Sequence, residues 1–329
     1  MSERQRAAGA FDVAGEVVSV QPHPTGHIND GYLVTTDRRR YLLQRLNPYV
    51  FADADAVMSN IVAVTDHLRD KGEPTLTLVP AIDGGHKWRD GDGAVWRMYE
   101  YLDGQPVAVA SPDDAALVGR TFGRFHRLLA DLDPTELRVS LPGFHDPARR
   151  MAQLEAAVAD DVCHRLQDVC ALVDTLRTMG EGIDADSVFA SLPDRVAHYD
   201  AKAANLLVGE TVVVVDLDTV MPGSVLWDVG DMVRSSTGTA HEASAVVSFD
   251  AERYHALTDA WSAEVGDLLS SEERDAVPQA GPVVTFEQAV RFLTDYLRGD
   301  VYFRVTNPGQ NLDRARNQLD LLRSMVAGR

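Results

Sequence analysis

Three polar residues in one short stretch, His198, Asp200 and Asn205, stand at the spacing H-x-D-x-x-x-x-N. Beyond them, Val212 to Val215 is a continuous β-branched run, which predicts a buried strand. That strand delivers Asp216 and Asp218 at its far end. Residues of these types suit phosphoryl transfer: a carboxylate accepts or orients an acceptor hydroxyl, while an amide and a carboxylate hold magnesium against phosphates. Asp200 fits the first task. Asn205, Asp216 and Asp218 fit the second, because magnesium takes hard oxygen ligands. Lys202 falls beside Asp200 on the acceptor side, and His198 reads as a buried, hydrogen-bonded strut for the loop rather than a base. The spacing alone is a weak signal, since loops are rich in Asp and Asn. The valine strand ending in D-L-D is what makes simple turn-capping the poorer reading.

Such a loop needs a sizeable scaffold. The chain has 329 residues, 45% apolar and 25% charged, enough for one large or two medium domains. A net charge of −19 argues against nucleic acid and against an anionic membrane surface as partners. Arg4 and Arg6 precede no apolar signal core, and no run approaches a membrane span, so the expected compartment is cytoplasmic. Cys163 and Cys170 fall in a stretch, Ala148 to Met179, that reads as long amphipathic helix. Seven residues apart on such a helix they would share a face about 10 Å apart, too far for a disulfide.

In chain order, residues 1–10 are expected to fray. Val17 to Val20 opens a strand, and Tyr32 to Thr36 with Tyr41 to Leu46 reads as a hairpin around Asp37 and Arg38. Asp53 to Lys71 reads as a helix with Val57, Ile61, Val64 and Leu68 on one stripe. Thr75 to Pro80 and Val95 to Tyr101 read as strands. Ser111-Pro112-Asp113-Asp114 is a helix start, with cap, proline and first-turn acids in order. His126 on that helix lies beside an apolar stripe and reads as structural. Ser235 to Val247 reads as a flexible loop at the acceptor site, Phe286 to Arg298 as a helix ended by Gly299, and Leu312 to Met325 as the last helix.

The catalytic stretch resembles the aminoglycoside phosphotransferase and choline kinase superfamily, with Tyr199 where kinases carry Arg. The segments VVDLDTVMPGSVLWDVGDMVR, HINDGYLV, YLLQRLN and RFLTDYLRGDVYF are similar to the N-acetylhexosamine 1-kinases, and the resemblance runs from about Thr25 to Gln318. It implies an α+β, two-lobed, protein-kinase-like fold. Residues 1–102 would be a small antiparallel-sheet lobe with one helix and the hinge. Residues 103–329 would be a mainly helical lobe holding the catalytic loop and the acceptor site. ATP with magnesium would lie between them, tolerated by the acidic chain because the metal and a few local cations offset its phosphates.

The resemblance also places particular residues. His27 and Asn29 would belong to the phosphate loop, and backbone groups of Glu100 and Leu102 would read the adenine edge. The second hairpin strand should carry a lysine for the phosphates; here Gln44, favoured by register, and Arg45, favoured by charge, are both open. The first helix should answer with a Glu, but its middle reads Met58, Ser59, Asn60, so the Lys–Glu pair is expected to be absent. From the residues themselves, Asp228 or Asp231 would tie the catalytic loop; Arg304 and Arg234 are candidates to grip the acceptor because Arg presents several fixed donors, and a salt bridge is the equal alternative for Arg234. The implied reaction places phosphate on the anomeric hydroxyl of N-acetylglucosamine or N-acetylgalactosamine. Alternatives are a kinase for an unacetylated hexosamine, another sugar, an aminoglycoside or an amino alcohol, and a nucleotide-binding module without catalysis. The missing Lys and Glu favour that last reading slightly; the intact Asp200, Asn205 and Asp216 oppose it.

Overall fold

The structure, a computed structural model, describes residues 2–23, 28–183, 189, 191–240, 242 and 244–327; His27 lies outside the described residues. Alternating apolar residues build the first sheet. Strands β1 (Val17–Pro22), β2 (Asp30–Thr36), β3 (Arg40–Arg45), β4 (Trp88–Arg89) and β5 (Val95–Glu100) pair antiparallel in the order β1-β2-β3-β5-β4. The stretch Thr75 to Pro80 does not join as a strand; it contributes a single bridge, Leu78 to Tyr99. Pro74 and Pro80 flank it and lack the N–H groups a continuous ladder needs. The N-terminus is helical rather than frayed. Helix α1 (Glu3–Ala8) opens with a Ser2–Gln5 capping box and buries Ala7 and Ala8 against the sheet's outer core with Phe11 and Trp96.

Helix α2 (Ala54–Asp70) begins where Asp53 accepts the Ala56 N–H at 2.8 Å. Its stripe of Val57, Ile61, Val64 and Leu68 is buried in the largest apolar core, together with α3 (Pro112–Leu128) and the strands of the catalytic stretch. Each such side chain contributes roughly 1.5–3 kcal/mol on burial. This shared core joins the two lobes. Asn60, at the middle of α2, adds polar specificity: its Nδ2 donates to the carbonyls of Arg138 (2.7 Å) and Val220 (2.9 Å), and its Oδ1 accepts the Arg138 N–H (2.8 Å).

Two small sheets bracket the catalytic stretch. One pairs β6 (Gln105–Pro106) with β8 (Leu206–Val208) and β8 with β9 (Val212–Val214); the other pairs β7 (Arg195–Ala197) with β10 (Met221–Gly223). The remaining helices are α4 (Pro147–Asp160), α5 (Cys170–Gly180), α6 (Leu226–Ser236), α7 (Ala251–Val265), α8 (Ser271–Leu297) and α9 (Gln310–Ala327). The single helix expected over Ala148 to Met179 is broken. Asp161 (φ 34°) and His164 (φ 54°) turn the chain left-handed, so Cys163 sits in a turn, Cys170 begins α5, and the two free thiols share no helix face. Gly119 and Gly123 let α3 press on α7, where an added Cβ would lie 2.1 Å from the Leu257 carbonyl and 2.9 Å from that of Trp261. Among the described residues, no helix is long and apolar enough to cross a membrane.

Candidate active site

The loop between β7 and β8 is held from below by one carboxylate. Asp228, on α6 and fully buried, accepts the N–H groups of His198 (2.7 Å) and Tyr199 (2.6 Å). Its third donor is His126 Nε2 at 2.8 Å. The tautomer follows from Trp261, whose indole N–H can only donate and does so to His126 Nδ1 at 3.0 Å. The chain Trp261 to His126 to Asp228 therefore ends on the backbone just before Asp200. Thr219 donates to the His198 carbonyl at 2.6 Å. The His198 ring spans to β9: Nδ1 accepts the Asp200 N–H at 3.3 Å and Nε2 donates to the Val215 carbonyl at 3.0 Å. Of the two acids proposed to tie the loop, Asp228 makes these contacts. Asp231 does not: its Oδ1 accepts Arg234 Nε at 2.7 Å.

Tyr199 takes φ +64°, a conformation that costs a non-glycine residue of order 1–3 kcal/mol unless its surroundings hold it. Several groups do. Its carbonyl faces His145 Nε2 at 3.0 Å, and the other His145 nitrogen faces Glu287 Oε2 at 3.0 Å. The His145 ring is stacked between Tyr199 and Trp227, at 5.7 and 4.9 Å between centroids. Gly223 is required on the far side, because a Cβ there would lie 1.7 Å from the Tyr199 hydroxyl oxygen.

Asp200 so placed bonds to Lys202 through Oδ2, and Asn205 Nδ2 donates to that oxygen (3.0 Å) and to the Asp200 carbonyl (2.8 Å). Burial opposes its charge, but Lys202, His198 and Asn205 hold its pKa below the ordinary carboxylate range. Asp216 leaves β9 at φ +62° with its carboxylate open to the cleft. The surrounding protein mass first, and Asp218 second, push its pKa up to about 6. No hydrogen bond to the Asp216 carboxylate or to Asn205 Oδ1 is made among the described residues, so these two remain as uncommitted hard oxygens. Their chemistry fits magnesium bound jointly with phosphate oxygens rather than in a protein cage; among the described residues no three His, Cys, Asp or Glu side chains form such a cage.

Asp218, expected as a further metal ligand, is instead committed. Its Oδ1 lies 2.6 Å from Arg97 Nη1 in an ion pair, and its Oδ2 accepts Asn29 Nδ2 at 2.6 Å. Asn29 Oδ1 in turn accepts the Asn47 N–H at 3.0 Å, so this side chain ties the start of β2 to the segment after β3. Gln44 faces inward, where its Oε1 accepts Arg97 Nε (3.0 Å) and Nη2 (2.8 Å). Arg45 turns outward, towards Trp96 and Glu3. At the end of β5, the Glu100 N–H is taken by the Thr77 carbonyl and its side chain by Arg39, while Leu102 packs on the main core. Arg234 was expected to be free for an acceptor. It is buried instead, between Asp231 and Glu242 (2.8 Å), and held protonated by them against its burial. Arg304 is exposed in the turn after α8, where its carbonyl accepts from Arg314.

Sequence reasoning missed Arg97, His145 and Glu287. Arg97 left a signal: a lone cation in the buried strand VWRMYE demands a partner. His145 and Glu287 left none, because their pairing joins residues 142 positions apart.

The pattern of the Phosphotransferase enzyme family matches residues 19–264, and the chain belongs to that family. Membership makes it a phosphotransferase. A stretch of 159 residues is 25% identical to homoserine kinase of Zymomonas mobilis; it covers 45% of this chain and about half, 47%, of that relative. Among solved structures, an aminoglycoside phosphotransferase from Alicyclobacillus acidocaldarius superposes with a TM-score of 0.62 at 16% identity, over 98% of this chain and 95% of that one. A microcompartment-associated aminopropanol kinase gives 0.61 at 16%, over 98% and 97%. Spectinomycin phosphotransferase, in complex with ADP and spectinomycin, gives 0.62 at 12%, over 98% and 96%. These likenesses establish the two-lobed kinase-like fold.

Proposed function

We propose that the enzyme transfers the terminal phosphoryl group of ATP to the anomeric hydroxyl of an N-acetylhexosamine, N-acetylglucosamine or N-acetylgalactosamine. Asp200 receives the acceptor hydroxyl. Its depressed pKa makes it a weak base, so its main contribution is orientation, with the proton passing to it late in a loose transition state. Asp216 and Asn205 would hold magnesium, which when bound offsets the charge on the phosphates. Gln44, Glu100 and Leu102 line the nucleotide side, and Lys202 restrains Asp200 on the acceptor side.

The observation that carries the neutral-sugar reading is charge pairing beside Asp200. Asp200 is matched by Lys202, and Asp231 and Glu242 share Arg234. A polycationic aminoglycoside would want uncompensated acids there. The sugar itself rests on the similarity of DLDTVMPG and RFLTDYLRGDVYF to N-acetylhexosamine 1-kinases, and Arg304 is the exposed donor offered to its hydroxyls. A second reading, an amino-alcohol kinase, draws on the homoserine kinase and aminopropanol kinase likenesses. Turnover of ATP over a panel of sugars, aminoglycosides, homoserine and aminopropanol decides between them. Phosphorus NMR of the product should show an acid-labile phosphate coupled to the anomeric proton. A 6-phosphate, or activity confined to cationic acceptors, refutes the sugar 1-kinase reading.

A further inference from the structure

Arg97 is 1% exposed in the centre of the five-stranded sheet, and its guanidinium is held by contacts inside the protein. Nε and Nη2 bond to Gln44 on β3, Nη1 pairs with Asp218, and the cation lies 5.1 Å from the Tyr99 ring centre. These contacts place the cation within the sheet rather than at its surface. From there it reaches across elements. Asp218 is two residues past Asp216, on the same short turn, and its other oxygen holds Asn29, just before β2. On α2, Asn60 bonds the Val220 carbonyl, two residues further along that same segment. The sheet through Arg97, the start of β2 through Asn29, and α2 through Asn60 are all fastened to the segment from Asp216 to Val220, with no lysine on β3 and no glutamate on α2.

We propose that Arg97 is a positioning residue for phosphoryl transfer. Through Asp218 it fixes the Asp216 turn relative to the nucleotide sheet, a coupling otherwise supplied by a strand lysine paired with a helix glutamate. Gln44 sets the guanidinium plane by accepting two of its N–H groups, and Asp218 divides its two oxygens between Arg97 and Asn29. The start of β2 and the metal-side carboxylate are then one mechanical unit. A buried ion pair of this kind is a poor source of net stability, and the role assigned to this one is to fix geometry. The inference rests on Asp216 being the metal-side ligand.

The test separates geometry from stability. Arg97→Met alone leaves Asp218 buried and unpaired and can fail to fold, so the informative variant is Arg97→Met with Asp218→Asn, which removes both charges. Binding of ADP with and without magnesium, steady-state kinetics and thermal unfolding are measured on the intact enzyme. For the double variant we expect unfolding close to the parent and magnesium-free ADP binding little changed. The magnesium-dependent gain in ADP affinity should be largely lost, and kcat should fall ~100-fold, the scale of a misplacement near 1 Å. Arg97→Lys, which can reach Asp218 but cannot bridge to Gln44 with a planar fork, should recover part of kcat. A folded double variant with parental kcat and magnesium gain overturns the proposal. Asp216→Ala is the control: if it keeps the magnesium gain, the metal assignment falls; if it loses the gain while the double variant keeps it, only the Arg97 proposal falls.

Discussion

Replacing Asp228 by Asn is a sharp test of how the catalytic loop is held. The carboxylate is completely buried and accepts three hydrogen bonds, two on Oδ2 from His198 N and His126 Nε2 and one on Oδ1 from Tyr199 N. An amide has one acceptor oxygen. If that oxygen takes the Oδ2 place, its NH2 group meets the Tyr199 N–H, leaving a buried donor unpaired at about 1–3 kcal/mol. The two surviving bonds lose their charge assistance, about 1 kcal/mol each. The sum is about 3–5 kcal/mol, a large part of an ordinary folding stability of ~5–15 kcal/mol. The defect falls on Tyr199, whose φ of +64° relies on that support, so Asp200 should lose its aim and kcat should fall ~100-fold. Urea denaturation gives the stability change, and steady-state kinetics at a temperature where the variant is fully folded gives the rate. A loss below about 1 kcal/mol with kcat within about twofold of the parent would refute the reasoning.

Other outcomes are equally definite. Asp200→Asn should remove turnover by orders of magnitude while leaving ATP affinity nearly intact, as isothermal titration alongside activity would show. Asp216→Ala should abolish the magnesium-dependent part of ATP binding and Asn205→Ala should only weaken it, since an anion offsets more metal charge than an amide does; equal effects in paired titrations would reverse that ranking. Burial works against the Glu287 charge, yet His145 first and then Arg291 and Arg150 hold its pKa below the usual value of 4.5. Its stabilisation is thus fully present above the unfolded pKa and is lost as pH falls through the lower folded value. Glu287→Gln should be less stable near neutrality and lose less on acidification below about pH 4.5; parallel Tm-versus-pH curves for variant and parent would contradict this.

The nucleotide sheet, α2, the Ser111 helix start and the catalytic loop were legible in the sequence because each is encoded locally. Period-two and helical patterns, a capping box, and the spacing of His198, Asp200 and Asn205 lie within single turns or strands. The break at Asp161 was hidden because Asp and His take left-handed angles only where the surrounding chain demands it. Register favoured Gln44 and charge Arg45; the partners brought by the fold, Arg97 inside and Glu3 outside, decided which one faces inward. What the sequence by itself determined was the chemistry on offer: carboxylates and an amide in one short stretch around a valine strand. Tertiary structure alone decided which of those groups remain free. Asp218 is paired with Arg97, 121 residues away, and hydrogen-bonded by Asn29, 189 away, whereas Asp216 two positions earlier is left exposed. Charge pairing acts through space, and a buried carboxylate goes to whichever cation the fold brings within reach.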